Sequence, residues 1–173
     1  MCGITGFIGF SGNGGNPPKQ ILTEMTNAIY HRGPDAAGHW VNHAAELALG
    51  HRRLSIVELS SAGQQPMHSP SKRYTLVCNG EIYNHIDLRK ELSVSWDPIW
   101  RGNSDTETLL AGFDFWGIEL MVRKSVGMFA MAIWDNKTNS LTLVRDRMGE
   151  KPLYYGWQGK GVSRTFMFSS ELK

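Results

Sequence analysis

The sequence predicts an α+β domain in which stacked sheets are sandwiched by helices. Three observations lead there. Helical patterns fall between groups of strand-like segments rather than alternating strictly with them. Most strand-like segments are apolar on both faces, so they need cover on both sides. The chain has 173 residues, 41% of them hydrophobic, which suffices for one domain with its own core.

The elements follow in chain order. "GITGFIGF" reads as a strand and "SGNGGNPP" as a loop whose two prolines suit a helix start. "KQILTEMTNAIYHRG" carries Ile21, Leu22, Met25, Ala28 and Ile29 on one helical stripe that ends at Gly33. "GHWV" and "AELALGH" read as paired strands around Asn42 and His43. "YTLVCNGEIYN" is a buried strand expected to break at Asn79-Gly80, and "HIDLRKEL" a short helix. "SDTETLLAGFDFWG" has the strongest helix signal: Ser104 is a candidate N-cap with Glu107 three residues on. "GMFAMAIWDNKTNSLTLVRD" reads as a hairpin with a polar turn, and "PLYYGW" and "TFMFSS" as two more strands. The stop at "FSSELK" suggests one domain cut from a longer protein.

Charge and composition exclude several classes. Lys plus Arg number 18 against 16 Asp plus Glu, a net charge of +2. That balance argues against nucleic acid or an anionic membrane as partner. No apolar run approaches a bilayer span, and the N-terminus lacks the basic segment of a signal peptide. Two cysteines, Cys2 and Cys78, do not make a disulfide framework, so the expected compartment is cytoplasmic. His39 and His43 would lie roughly 13 Å apart in an extended segment, too far to share an ion, so no metal site is expected. No phosphate loop of the form G-x-x-x-x-G-K-[ST] occurs.

Chemistry gathers at four places, each with a plainer structural alternative. Cys2 follows the initiator Met. If Met1 is removed, one residue carries both a thiol and an α-amine. That amine has an ordinary pKa of about 7.7–8.0, near working pH for a general base. Gly3, Thr5 and Gly6 are small and leave access; the alternative is a core strand. Asn79 and Gly80 offer a side-chain amide and a backbone N–H that together could hold an oxyanion, or a hairpin turn. Arg52 and Arg53 point to opposite faces of a strand, so one can face a site and bind a carboxylate. Asp105, at a helix N-terminus, and Glu81 add acids suited to the other end of a zwitterionic amino acid; solvated charge and capping are the alternative. "HRGPDAAGHW" reads as a tight loop around Pro34, and "RDRMGEKPLYYGW" as a charged turn open to structural or partner-contact roles.

Taken in order, "MCGITG", "HRGPDAAG", "RRLSIVEL", "CNGEIYNH", "GNSDTETLL", "VGMFAMAIWD" and "RDRMGEKPLYY" punctuate the chain from Met1 to Tyr155, and the resemblance they carry runs from Met1 to Lys173. This series resembles the N-terminal glutaminase domain of the glutamine-dependent asparagine synthetase family, class II amidotransferases with an N-terminal nucleophile hydrolase fold. The resemblance implies a four-layer αββα sandwich. By position it implies Cys2 as nucleophile after removal of Met1, and Asn79 and Gly80 as oxyanion hole. It implies Arg53 on the glutamine α-carboxylate, Glu81 and Asp105 on the α-ammonium, and Arg52 behind the site or on the surface. The implied reaction is hydrolysis of the glutamine side-chain amide through a Cys thioester, with the ammonia passed to an ATP-dependent amidation. The domain itself needs no cofactor or metal; ATP and Mg²⁺ belong to a synthetase domain in cis or trans, whose Ser-Gly-Gly-x-Asp-Ser loop this sequence lacks. A homodimer is open. Two other outcomes stay open as well: a glutaminase feeding a sugar or peptide carboxylate, and an inactive glutamine-binding or docking module if Met1 is retained.

Overall fold

The computed structural model describes residues 1–10, 16–55, 60–96, 98–161 and 164–172. Among these residues, nine strands form two antiparallel sheets. The first sheet has the order β2-β3-β1-β9-β8, from β1 (Gly3–Ile8), β2 (Ala36–Asn42), β3 (Leu47–Arg53), β8 (Tyr154–Gln158) and β9 (Thr165–Ser169). The second has the order β4-β5-β6-β7, from β4 (Met67–His68), β5 (Tyr74–Ile82), β6 (Gly127–Asp135) and β7 (Ser140–Arg145). Helix α1 (Pro18–Ala28) lies on the first sheet. Helices α2 (His85–Ser95), α3 (Asp105–Trp116) and α4 (Ile118–Lys124) cover the second.

The period-2 geometry of the strands explains why their sequences are apolar throughout. On β3, Leu47 and Leu49 pack between the sheets while Ala48 meets Leu22 of α1. On β6, Ala130, Ala132 and Trp134 face the sheet-to-sheet core; Phe129, Met131 and Ile133 face α3 and α4. On β5, Val77 points to the first layer, and Leu76, Cys78 and Ile82 to the second. Three stacked cores separate four layers. The expected αββα sandwich is the architecture observed.

Four local expectations change. β5 does not break at Asn79-Gly80. It runs on to Ile82, with Asn79 opposite Ala130, Gly80 opposite Phe129 and Glu81 opposite Met128. The Asn-Gly pair is therefore not a hairpin turn, because β6 supplies a partner for the whole strand. The regular part of α1 ends at Ala28 and the chain continues as a 3-10 turn, Tyr30–Arg32. Helix α4 and the two-residue strand β4 carried too little periodicity to be read. Ser104 does cap α3, accepting from Thr106 N–H at 3.2 Å, but Glu107 does not fold back onto the cap residue. It reaches the N–H groups of Arg101 (2.8 Å) and Gly102 (3.1 Å) instead, tying down the approach to the helix. The "IVEL" of the motif "RRLSIVEL" (56–59) and all of "SGNGG" (11–15) lie outside the described residues. No helix among the described residues is long and apolar enough to cross a membrane.

Candidate active site

Cys2, Arg53, Asn79, Gly80, Glu81 and Asp105 all line one cavity of about 170 Å³. The topology accounts for the convergence. Cys2 precedes β1 in the first sheet, and Arg53 ends β3, the strand hydrogen-bonded to it. Asn79, Gly80 and Glu81 lie on β5 of the second sheet. Asp105 opens α3, behind that sheet. The cavity thus sits where the ends of the two sheets meet.

The Cys2 thiol is half-buried and held by the chain that leaves β3. Leu54 N–H donates to Sγ at 3.4 Å and the thiol faces Leu54 O at 3.6 Å. Met1 stands outside it, 60% exposed, and also borders the cavity. Asn79 is 1% exposed, and its Nδ2 has no hydrogen-bond partner among the described residues. A buried amide donor without a partner costs free energy on the order of 1–3 kcal/mol. Asn79 also lines the cavity. Gly80 follows it where a side chain cannot fit: a Cβ there would lie 2.2 Å from Met128 O and 2.6 Å from Phe129 Cα.

The two arginines part as strand geometry requires. Arg53 is 8% exposed and lines the cavity, with Nη1 donating to Ser60 O at 3.0 Å. Arg52 is neither on the surface nor in the cavity. It turns under α1, where Nε donates to Thr26 O (3.1 Å), Nη2 to Asn27 Oδ1 (2.9 Å), and the guanidinium lies over the Tyr30 ring. On the acidic side, Asp105 Oδ2 accepts from Ile82 N–H at 2.8 Å, so the start of α3 is pinned to the end of β5. Glu81 is exposed in the next register position after Gly80.

Several residues around the cavity escaped the sequence reading. His51 is 1% exposed and Nε2 faces Cys78 O at 3.2 Å. Burial, opposed in part by that contact and helped by Arg53, lowers its pKa to about 4. It is neutral near pH 7, and because a carbonyl only accepts, Nε2 carries the proton. Gln65 accepts from Cys78 N–H at 2.6 Å and donates to Thr106 Oγ1 at 3.3 Å, joining β5 to α3. Lys151 is 6% exposed, with Nζ 3.3 Å from Met1 Sδ. The charged turn that delivers it is organised from within. Asp146 accepts from the N–H groups of Phe129, Met148, Glu150 and Lys151, and Arg145 donates to the carbonyls of Gly149 and Lys151. Burial works to raise the Asp146 pKa, but the backbone donors outweigh it and hold the carboxyl below its usual range. Cys78 also borders the cavity; burial pushes its thiol well up, and it and Cys2 are both free thiols.

A cavity that presents a held thiol, a spare amide donor, an arginine and two carboxylates can bind a zwitterion and attack an amide. Comparison with known proteins agrees with that chemistry. A family profile described as "Glutamine amidotransferase domain" matches residues 1–173. Asparagine synthetase [glutamine-hydrolyzing] 3 of Bacillus subtilis is 41% identical, over 100% of this chain and 27% of its own length. A putative asparagine synthetase [glutamine-hydrolyzing] 2 of Methanocaldococcus jannaschii is 35% identical, over 100% of this chain and 34% of its own. The chain therefore spans about a quarter to a third of these relatives. Among solved structures, the glutamine phosphoribosylpyrophosphate amidotransferase of B. subtilis, complexed with ADP and GMP, superposes with a TM-score of 0.80. That match is at 20% identity and covers 98% of this chain and 42% of the other. That likeness shows the fold alone, the four-layer αββα sandwich.

Proposed function

The chain belongs to the glutamine amidotransferase domain family, and from that premise we propose that it hydrolyses the side-chain amide of glutamine to glutamate and ammonia, with Cys2 as nucleophile. The observation that carries the reading is the presence on one cavity of the half-buried Cys2 thiol and of Asn79, whose buried Nδ2 has no hydrogen-bond partner among the described residues. The reaction requires Met1 to be removed, which frees the α-amine of Cys2.

In this reading Arg53 takes the α-carboxylate of glutamine in a two-point contact, and Glu81 and Asp105 take the α-ammonium. The α-amine of Cys2 accepts the thiol proton and Sγ attacks the amide carbon. Negative charge develops on the amide oxygen, where Asn79 Nδ2 and Gly80 N–H donate to it. The protonated α-amine then passes its proton to the leaving nitrogen, ammonia departs, and a thioester remains. Water, activated by the same amine, cleaves the thioester to glutamate and restores the thiol. Glutamine and one water are consumed; glutamate and one ammonia are produced.

The names of the relatives support the further proposal that the ammonia serves asparagine synthesis by a synthetase domain lying beyond this one. ATP and Mg²⁺ belong to that half. The glutaminase half would work in the cytoplasm, where thiols are kept reduced. The direct test is glutamate formation from glutamine by the Met1-processed chain and its Cys2→Ala variant. The reading expects turnover in the first and none in the second; turnover in both would sink it.

A further inference from the structure

Two adjacent pairs, His31-Arg32 and Ser170-Glu171, lie far apart in sequence but meet beside the start of β1, next to Cys2, and the proposed mechanism uses none of their side chains. Arg32, in the 3-10 turn after α1, donates from Nε to Cys2 O at 3.1 Å and from Nη1 to Glu171 Oε1 at 3.0 Å. His31 Nε2 meets the same Glu171 oxygen at 2.9 Å. Ser170 clasps the neighbouring residue: its Oγ accepts from Ile4 N–H at 3.0 Å and its own N–H donates to Ile4 O. Glu171 follows directly, so the end of β9 delivers the carboxylate beside the start of β1. Gly3 completes the fit. A Cβ there would meet Ile29 Cδ1 at 2.9 Å and Arg32 Cδ at 3.2 Å, so the arginine stem lies across bare glycine backbone.

A nucleophile at a chain end has a particular problem. Residue 2 has no strand partner on its N-terminal side, and terminal residues fray unless tied down. Among the described residues its thiol is held through weak sulfur contacts to Leu54. The carbonyl of Cys2 is the strongest acceptor the residue offers, and a guanidinium is the donor best able to fix it. Arg32 is 10% exposed in its side chain and Glu171 21%. A cation this buried needs its counter-charge to stay in one rotamer.

We infer that Glu171 is a positioning residue for the hydrolysis reaction, locking Arg32 onto the Cys2 carbonyl so that thiol and α-amine keep their attack geometry. This rests on Cys2 being the nucleophile. Misplacement of a reacting atom by about 1 Å costs about a hundredfold in rate. Glu171→Gln keeps an acceptor but loses the charge, and is expected to give about a tenfold loss in kcat with the glutamine KM within about twofold. kcat is counted per Cys2 titrated by a glutamine-like electrophile, so that a mere loss of folded protein does not register. The rate of Cys2 alkylation by iodoacetamide falls in parallel. On an Arg32→Lys background the Glu171→Gln change adds little, since both act through one contact. Should Glu171→Gln fail to fold, Glu171→Asp carries the same test, with a kcat loss at unchanged KM. Wild-type kcat per titrated Cys2 in Glu171→Gln, or a change confined to KM, overturns the inference. Absence of Cys2-dependent turnover in the wild-type chain overturns the functional reading instead.

Discussion

Arg52 and Arg53 are adjacent in sequence yet serve opposite layers: Arg52 reaches Thr26 O at 3.1 Å beneath α1, while Arg53 reaches Ser60 O at 3.0 Å at the cavity wall. Alternation along β3 separates them. Their substitutions should therefore fail in different ways. Arg53→Ala is expected to raise the glutamine KM by about 10- to 100-fold with a smaller effect on kcat, because it removes a charged contact to a part of the substrate that does not react. Arg52→Ala should leave KM within twofold and cost about 2 kcal/mol of stability from two lost hydrogen bonds and a ring contact. That corresponds to a Tm lower by about 6 °C. Steady-state kinetics beside thermal melts separate the two; a raised KM in Arg52→Ala would reverse the assignment.

Asn79→Ala removes a donor that has no acceptor among the described residues. Its kcat is expected to fall by about a hundredfold or more, as for other oxyanion donors, with KM nearly unchanged. Stability should hold or rise slightly, because a buried unpaired group is deleted. A large Tm loss with kcat intact would make Asn79 a structural residue.

Gly80→Ala should cost both stability and rate. The new methyl meets Met128 O and Phe129 Cα, backbone atoms that cannot step aside without parting β5 from β6. Overpacking of this kind costs about 1–3 kcal/mol, read as an earlier denaturant midpoint. The displaced Gly80 N–H lowers kcat in the same protein. Unchanged folding and rate would mean that the sheet yields there.

His51 gives the domain an acid limit. Its folded pKa of about 4 lies below the ordinary value of 6.5. Between those values the unfolded chain binds the extra proton, so stability rises with pH across the window. The contribution is full above about pH 6.5 and lost as pH falls towards 4, on the order of 3 kcal/mol in all. Replacing His51 with Gln, which can still donate to Cys78 O, should flatten that slope in urea melts at pH 4.5 and 7. An unaltered slope would contradict this assignment of the pH 4–6.5 window to His51. Asp135 acts at lower pH: a hydrogen bond from Arg73 lowers its carboxyl pKa to about 2, despite burial. Its stabilisation is present above the ordinary pKa of 3.8 and disappears as pH falls towards 2.

The layers were legible in the sequence because double-sided apolar strands such as Leu47-Ala48-Leu49 leave no other arrangement. The residues that meet at the cavity stood out by type, as a thiol at position 2, an Asn-Gly pair, an arginine pair and an acid at a helix N-terminus, but only the family resemblance gave them roles. What the sequence hid were relations set by register and by distant contacts. Nothing local says that Asn79-Gly80 continues a strand, since its pairing depends on β6, some fifty residues downstream. His51 looked like one more strand residue until burial against Cys78 O gave it a depressed pKa. Arg32 sat in a loop with no assigned chemistry, and Glu171 in "FSSELK", to which no chemistry was assigned either. Their partner is a backbone carbonyl, which leaves no signature in side-chain pattern.

Everything proposed for this site depends on Cys2, freed of Met1, being the nucleophile. Intact mass and peptide mapping after treatment with a glutamine-like electrophile test it most directly. The account predicts a chain lacking Met1 with a single adduct on Cys2, and no adduct on Cys78, which is 5% exposed and whose thiol pKa burial raises. An adduct on Cys78, equal labelling of a chain that keeps Met1, or a processed chain that takes no label would contradict it.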